Sequence, residues 1–452
     1  MRSLPVSAES HDVDVRALNA KIGENYDTLL YDCYPDPELD PERVLGLAAL
    51  YGCAADAGSD IDVLDLGCGT GTQIERVGAL TGGKLVGVDI SREACARARQ
   101  RCAKYGDRAR IVCADLLDLN PEDLGRFDLI YNIGVIFITP PAIRQSVLSL
   151  TAGCLKPGGV AALSYYAGGL GRLLAGLYRT LRAALDPSPD REAAIRKARE
   201  RIGQIAAHLP STGPVRKFMG EILNHVSSQS DTMLFHEGLN HAFDAMDTAD
   251  LESMLCSRGV HFLNYLTPTP FGMLPAPRER ALAADAFDFA VGSYRHVAFG
   301  KPIGTPQAAN LRSPAVRWQS RLLRAQPQIA YGSPANFQDR ATNRVVPVTR
   351  PQMQAALDEL AAGPRSWASM CEAAQRRLAQ SGSFNAGWGA EFEGDFATLW
   401  QTGVLTPLWA APAAAAASGS PLPPVPPEQR WGAAADRGPV AAAPISPPRC
   451  RA

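Results

Sequence analysis

Three glycines stand within five residues at Gly67-Cys68-Gly69-Thr70-Gly71, and polar residues follow at Asp89, Asp115 and Asn132. Each of these features ends a short apolar run: 63–66 before the glycines, 85–88 before Asp89, 111–114 before Asp115 and 127–131 before Asn132. Glycines let the backbone approach a ligand closely and free amide N–H groups at the start of the helix that follows. An acidic residue ending the second run can accept both hydroxyls of a ribose, and one ending the third can take an exocyclic amine. Together these residues describe a pocket for an adenosine-containing molecule. The dinucleotide fingerprint GxGxxG/A fails at its last position, Thr72, and no GxxxxGK[ST] occurs, which excludes a phosphate-cradling P-loop.

The elements that must position these residues follow from the pattern around them. Helical periodicity runs from Thr72 to a stop at Gly82-Gly83, from a Ser91 cap to about Tyr105, and over 141–154. A fifth apolar run covers 160–165. Strands alternating with helices predict an α/β fold, a Rossmann-like parallel sheet. In such sheets ligands bind beyond the carboxyl ends of the strands, so the glycine turn, Asp89, Asp115 and Asn132 converge on one edge.

The string 63–72, VLDLGCGTGT, resembles motif I of the class I S-adenosylmethionine-dependent methyltransferases. The likeness continues in order through Gly87-Val88-Asp89, Ala114-Asp115, Phe127-Asp128-Leu129-Ile130 and Leu155-Lys156-Pro157-Gly158-Gly159. It implies S-adenosylmethionine as the cofactor. Asp65 and the backbone of Gly67, Cys68, Gly69 and Gly71 would then hold its methionine end. Asp89, with Ile90 beside it, would take the ribose, Asp115 with Leu116 the adenine, and Asn132 would line the reaction side.

The flanks are similar to the branch of this class that carries a methyltransferase regulatory domain and includes rickettsial protein-lysine methyltransferases. The similarity rests on Tyr26-Asp27 through Tyr31, Tyr34 and Asp40-Pro41, on Gly134-Val135 with Pro140-Pro141, on Ser164-Tyr165, and on Phe235-His236-Glu237 through Asp244. The chain departs from the branch at Asp40 and Ile133, where the branch has histidine, at Ile138 or Thr139, where it has tryptophan, and at Tyr166, where it has asparagine. The resemblance implies methyl transfer to an amine or other nucleophile. A protein lysine follows from the branch, and a small-molecule metabolite from the altered positions. The reading from another class is a non-catalytic cofactor-binding or interaction protein on the same fold. Asn132, Tyr31, Tyr165 and His236 are the substrate-side candidates, and no single residue stands out as a general base.

At 452 residues the chain exceeds one ordinary domain. The expected organisation is a helical cap over 1–60, the cofactor-binding core over 61–168 and a helical insertion, lid or regulatory, over 169–240. A helix and sixth strand should follow over 241–275, then a small α(+β) module over 276–410. Residues 411–452 hold ten of the 35 prolines and read as a disordered tail. With 45 basic against 46 acidic residues there is no basic field to draw nucleic acid. No apolar run reaches the roughly 18 residues of a membrane helix. The N-terminal stretch lacks an apolar signal segment and the ten cysteines form no CxxC, so a reducing, cytoplasmic setting is expected. His236-Glu237 with His241 is one residue longer than HExxH, which turns the second histidine about 140° away on a helix, and no metal site is expected.

Overall fold

Neighbouring residues of the central strands alternate between two cores, as the period of two in an extended chain requires. Val63, Leu129, Tyr131, Val160 and Ala162 join one core and Leu64, Leu66, Ile130, Ala161 and Leu163 the other, all buried. Because both faces are covered, these strands read in sequence as near-continuous apolar runs. The computed structural model describes residues 15–31, 36–53, 60–185, 190–267, 269–291, 294–382 and 388–410. The proline-rich 411–452 and Tyr34 lie outside the described residues.

The sheet has seven strands: β1 (Val63–Leu66), β2 (Leu85–Asp89), β3 (Ala109–Cys113), β4 (Phe127–Asn132), β5 (Leu155–Tyr166), β6 (His261–Tyr265) and β7 (Tyr294–Gly300). Their spatial order is β3-β2-β1-β4-β5-β7-β6. β1 to β5 pair in parallel, and β7 runs antiparallel between β5 and β6. The Rossmann-like α/β expectation holds. Strand order reverses between β1 and β4, the switch point at which such sheets open a crevice.

The helices over the sheet are α1 (Val15–Thr28), α2 (Pro41–Leu50), α3 (Thr72–Gly78), α4 (Arg92–Cys102), α5 (Pro121–Leu124) and α6 (Pro141–Cys154). Ser91 caps α4 by accepting from the Ala94 N–H at 3.0 Å. Beyond β5, α7 (Gly168–Arg182), α8 (Arg191–Ala207) and α9 (Pro214–Ser228) fill the region read as an insertion, followed by a π-type turn over Leu234–Gly238. The helix Thr248–Leu255 leads into β6 as the sequence predicts.

The expected end of the core at 275 leaves one strand of the sheet beyond it. β7 falls inside 276–410, so the sheet closes only at Gly300. Its first half, Tyr294-Arg295-His296, is polar, which hides an interior strand. Each of those residues has a partner: Tyr294 bonds Ser164 Oγ at 2.6 Å, Arg295 pairs with Asp288 at 2.9 Å, and His296 faces Asp36 at 3.4 Å.

After Gly300 the chain forms two three-stranded antiparallel groups and the helices Pro351–Ala362, Trp367–Gln380 and Ala390–Gln401. This part is not a loose appendage. Trp318, Phe396, Trp400 and Trp409 belong to the same core as α2 and one face of the sheet. Gly46 of α2 lies so close to Pro407–Trp409 that a Cβ there would stand 2.7 Å from three backbone atoms.

Candidate active site

A cleft of roughly 1170 Å³, counted out to its solvent mouth, lies over the carboxyl ends of β1, β2 and β4. Its floor is the glycine turn. Gly67, Gly69 and Gly71 have φ of +87°, +50° and +79°, conformations that side chains disfavour. A Cβ on Gly67 would meet Val135 Cγ2 at 2.2 Å, whereas one on Gly69 would meet nothing within 4 Å. Gly67 and Gly69 line the cleft. Gly71 does not; it caps the start of α3, where an added Cβ would stand 2.9 Å from the Ala98 Cβ of α4, and so serves helix packing.

Asp89 ends β2 on the cleft wall. Its Oδ2 accepts from the Gly69 N–H at 2.8 Å and its Oδ1 from the Ser91 N–H at 2.9 Å, which ties the turn to the head of α4. Each oxygen keeps acceptor capacity for a ligand hydroxyl. Burial raises its pKa against those backbone bonds. Asp65 lies in β1 beneath the floor, 4 % exposed and off the cleft wall. Burial and then the charge of Asp89 push its carboxyl up to about 8. Cys68 turns inward: a Cβ on Gly87 would touch its sulfur at 2.8 Å, so its role is packing.

At the far end, Ile90 and Leu116 line the cleft. Asp115 stands just outside it and accepts from the Leu117 N–H at 2.9 Å, which shapes the short turn that presents Leu116. Asn132 is fully buried under the floor. Its Nδ2 donates to the Leu66 carbonyl at 2.9 Å, while its Oδ1 has no donor. α1 roofs the cleft with Asn19, Ile22 and Tyr26. The roof is pinned by Asp27, which accepts from Ser91 Oγ at 2.7 Å and from the Glu93 N–H at 3.1 Å.

A family model described as a methyltransferase domain matches residues 63–159, the stretch that builds this floor. Residues 63–159 thus match a methyltransferase domain. Over 142 residues this chain is 28% identical to the protein RP789 of Rickettsia prowazekii (strain Madrid E), covering 31% of this chain and 26% of that one. Over 144 residues it is 32% identical to the methyltransferase GfsG of Streptomyces halstedii, covering 30% of this chain and 50% of that one. The chain thus spans about a quarter and a half of these two relatives. In fold it is similar to PKMT2 from Rickettsia typhi, with a TM-score of 0.67 at 18% identity over 84% of this chain and 77% of that one. The same protein in complex with AdoHcy gives 0.64.

The other half of the methyltransferase cleft is walled by Tyr31, Asp36, Ile133, Gly134, Val135, Ile138, Thr139, Glu237, Tyr294 and His296. Tyr31 lines this wall. Tyr165 does not: it is buried on the opposite face of β5, where its hydroxyl bonds Thr248 Oγ1 at 2.8 Å, and the pleat sends Ser164 and Tyr166 to the cleft side instead. His236 also turns away. It donates from Nε2 to the Leu29 carbonyl at 2.6 Å and stacks on Tyr26 at 4.1 Å, and burial pulls its pKa down to about 4.

Sequence reasoning missed Glu237, Asp36, Tyr294 and His296. Glu237 accepts from Tyr31 Oη on Oε1 and from Tyr166 Oη on Oε2, both at 3.0 Å, and burial pushes its carboxyl up to about 7. Asp36 and Glu38 come within ligating distance of His296, within 4.8 Å of one another. Asp36 is already engaged, accepting from the Glu38 N–H at 2.8 Å. No helix among the described residues is long and apolar enough to cross a membrane.

Proposed function

We propose that the protein binds S-adenosylmethionine along this cleft and transfers its methyl group to a nucleophile at the Tyr31–Tyr294 end. The observation that carries the reading is Asp89: a half-buried carboxylate on the cleft wall, with spare acceptor capacity, beside a glycine turn whose Gly67 and Gly69 line the same cleft. Ribose hydroxyls are donors that the free acceptor capacity of Asp89 can take, so the residues lining the cleft fit the cofactor. When bound, S-adenosylmethionine supplies an electrophilic methyl group.

In this reading Gly67, Gly69, Asp89, Ile90 and Leu116 touch the cofactor. Asp65, Cys68, Gly71, Asp115 and Asn132 hold those contacts in place from behind. The α1 roof shuts out water, and the remaining work of the chain is alignment of donor and acceptor. A protein lysine as acceptor is supported by the likeness to PKMT2, which extends over 84% of the chain and so well beyond the core. A small-molecule acceptor is favoured by Ile133, Ile138 and Thr139, which line the cleft where the related branch carries histidine and tryptophan. The eight described cysteines are free thiols, in keeping with a reducing cytoplasm.

Calorimetry with S-adenosylmethionine and its demethylated product tests the binding. Asp89→Ala removes a charged acceptor from two hydroxyls, a loss of about 1.5–3 kcal/mol or tenfold to a hundredfold in affinity. No binding, or binding indifferent to Asp89→Ala, refutes the proposal. Labelled cofactor incubated with a size-fractionated lysate separates the acceptors: label confined to small molecules removes the protein lysine.

A further inference from the structure

Glu237 has no part in holding the methyl donor, yet it is the most demanding group on the cleft wall. Its side chain belongs to a residue 1 % exposed, and both carboxylate oxygens are bonded only to tyrosine hydroxyls, Tyr31 from the segment after α1 and Tyr166 from β5. Tyr178 of α7 is the other titratable group close enough to feel its charge. Among the described residues no lysine, arginine or histidine bonds or pairs with it. The Arg182 guanidinium donates instead to the carbonyls of Gly238 and Asn240. His236, next in sequence, turns to Leu29. Across the cleft stand Asp36, Asp89, Tyr294 and His296.

A buried carboxylate without a cation is strongly disfavoured, and the fold supplies none from inside. The open side of Glu237 is the cleft. Tyr31 and Tyr294 line the same cleft, and the buried rings of Tyr166 and Phe137 pack behind Tyr294 at 5.1 and 5.7 Å between centroids. Ring faces attract organic cations.

We propose that Glu237 is the acceptor-side carboxylate, binding the methyl acceptor as an alkylammonium and taking its proton, so that the acceptor is an aliphatic amine. The inference rests on the methyl-transfer reading and names its substrate class. The proton passes from the ammonium nitrogen to a carboxylate oxygen, leaving a neutral amine and a neutral carboxylic acid. The freed nitrogen lone pair forms the new nitrogen–methyl bond while the sulfur–methyl bonding pair stays on sulfur. Glu237 then releases its proton to solvent. An alkyl hydroxyl is far too weak an acid for this carboxyl. An ammonium, near 10.4 in water, falls toward the carboxyl's range once desolvated, which makes the transfer nearly even.

The test needs no knowledge of the natural acceptor. Affinities of n-butylammonium and of neutral n-butanol are measured by calorimetry on the full chain, alone and loaded with AdoHcy. The wild type is expected to prefer butylammonium by tenfold or more, and Glu237→Gln to erase that preference while keeping AdoHcy affinity. No preference in the wild type, or one that survives Glu237→Gln, overturns the inference. Should Glu237→Gln fail to fold, the wild type still decides: butylammonium binding must strengthen as pH rises through about 7, and a flat profile from 5.5 to 8.5 overturns it. His296→Gln must leave that pH step in place, since a step that vanishes belongs to the imidazole. Absence of AdoHcy binding in the wild type refutes the methyl-transfer reading itself, whereas AdoHcy binding without an ammonium preference refutes only the role of Glu237.

Discussion

Asp65 makes the stability of the core fall as pH rises, and Asp65→Asn isolates that effect. Two causes act on its carboxyl, burial and the neighbouring Asp89 charge, and both push its pKa up, to about 8. In the unfolded chain the group titrates near 3.8. Below that value it is neutral in both states and costs nothing. Between 3.8 and about 8 the unfolded chain ionises while the folded one stays protonated, so folding loses about 1.36 kcal/mol per pH unit. From pH 5 to pH 8 the loss reaches about 4 kcal/mol, an upper figure because Asp65 and Asp89 share protons. Asparagine keeps the shape and removes the titration. Urea unfolding followed by far-ultraviolet circular dichroism at pH 5, 6, 7 and 8 compares the two proteins. The stability of Asp65→Asn relative to wild type should climb steadily across that range. A difference constant within about 0.5 kcal/mol would mean that Asp65 is already ionised in the fold, and the reasoning from burial would fail.

Gly67→Ala forces a side chain into a left-handed conformation and onto Val135, for about 1–2 kcal/mol of backbone strain and about 1–3 of overpacking. Its urea midpoint should drop far more than that of Gly69→Ala, whose Cβ meets no protein atom within 4 Å and which should cost only the backbone strain. Gly46→Val should loosen the C-terminal part from α2, read as faster proteolysis beyond residue 300 with the central sheet still protected in hydrogen exchange.

The floor of the cleft was legible because its residues obey local rules. The glycines must be glycines at positive φ, and the strands before them must be apolar on both faces. Asp89 must end β2 to reach both the turn and the next helix. What the sequence did not separate was contact from support. Asp115, Gly71 and Cys68 stand in motif positions, yet Asp115 shapes a turn, Gly71 seats two helices and Cys68 fills the space beside Gly87. β7 was hidden for a related reason. An interior strand is expected to be apolar, but Tyr294, Arg295 and His296 are satisfied by Ser164, Asp288 and Asp36, of which Ser164 and Asp36 are distant in sequence.

The acceptor half turned on shifts of one residue. At β5 the pleat decides between Tyr165 and Tyr166, and a motif match that ended on Tyr165 pointed to the wrong face. At Leu234–Gly238 the backbone takes a π-type turn, an insertion into helical geometry that frequently marks functional sites and that no periodicity announces. There His236 closes against Leu29 and Tyr26 while Glu237 meets Tyr31 and Tyr166 at the cleft. The histidine drew attention because its chemistry is familiar in isolation. The glutamate matters because of what surrounds it, two tyrosines and no cation, and that is a property of three segments more than 200 residues apart in part. His236 then has its own consequence: by holding Leu29 it fixes the chain that carries Tyr31, so the residue that does not face the cleft positions one that does.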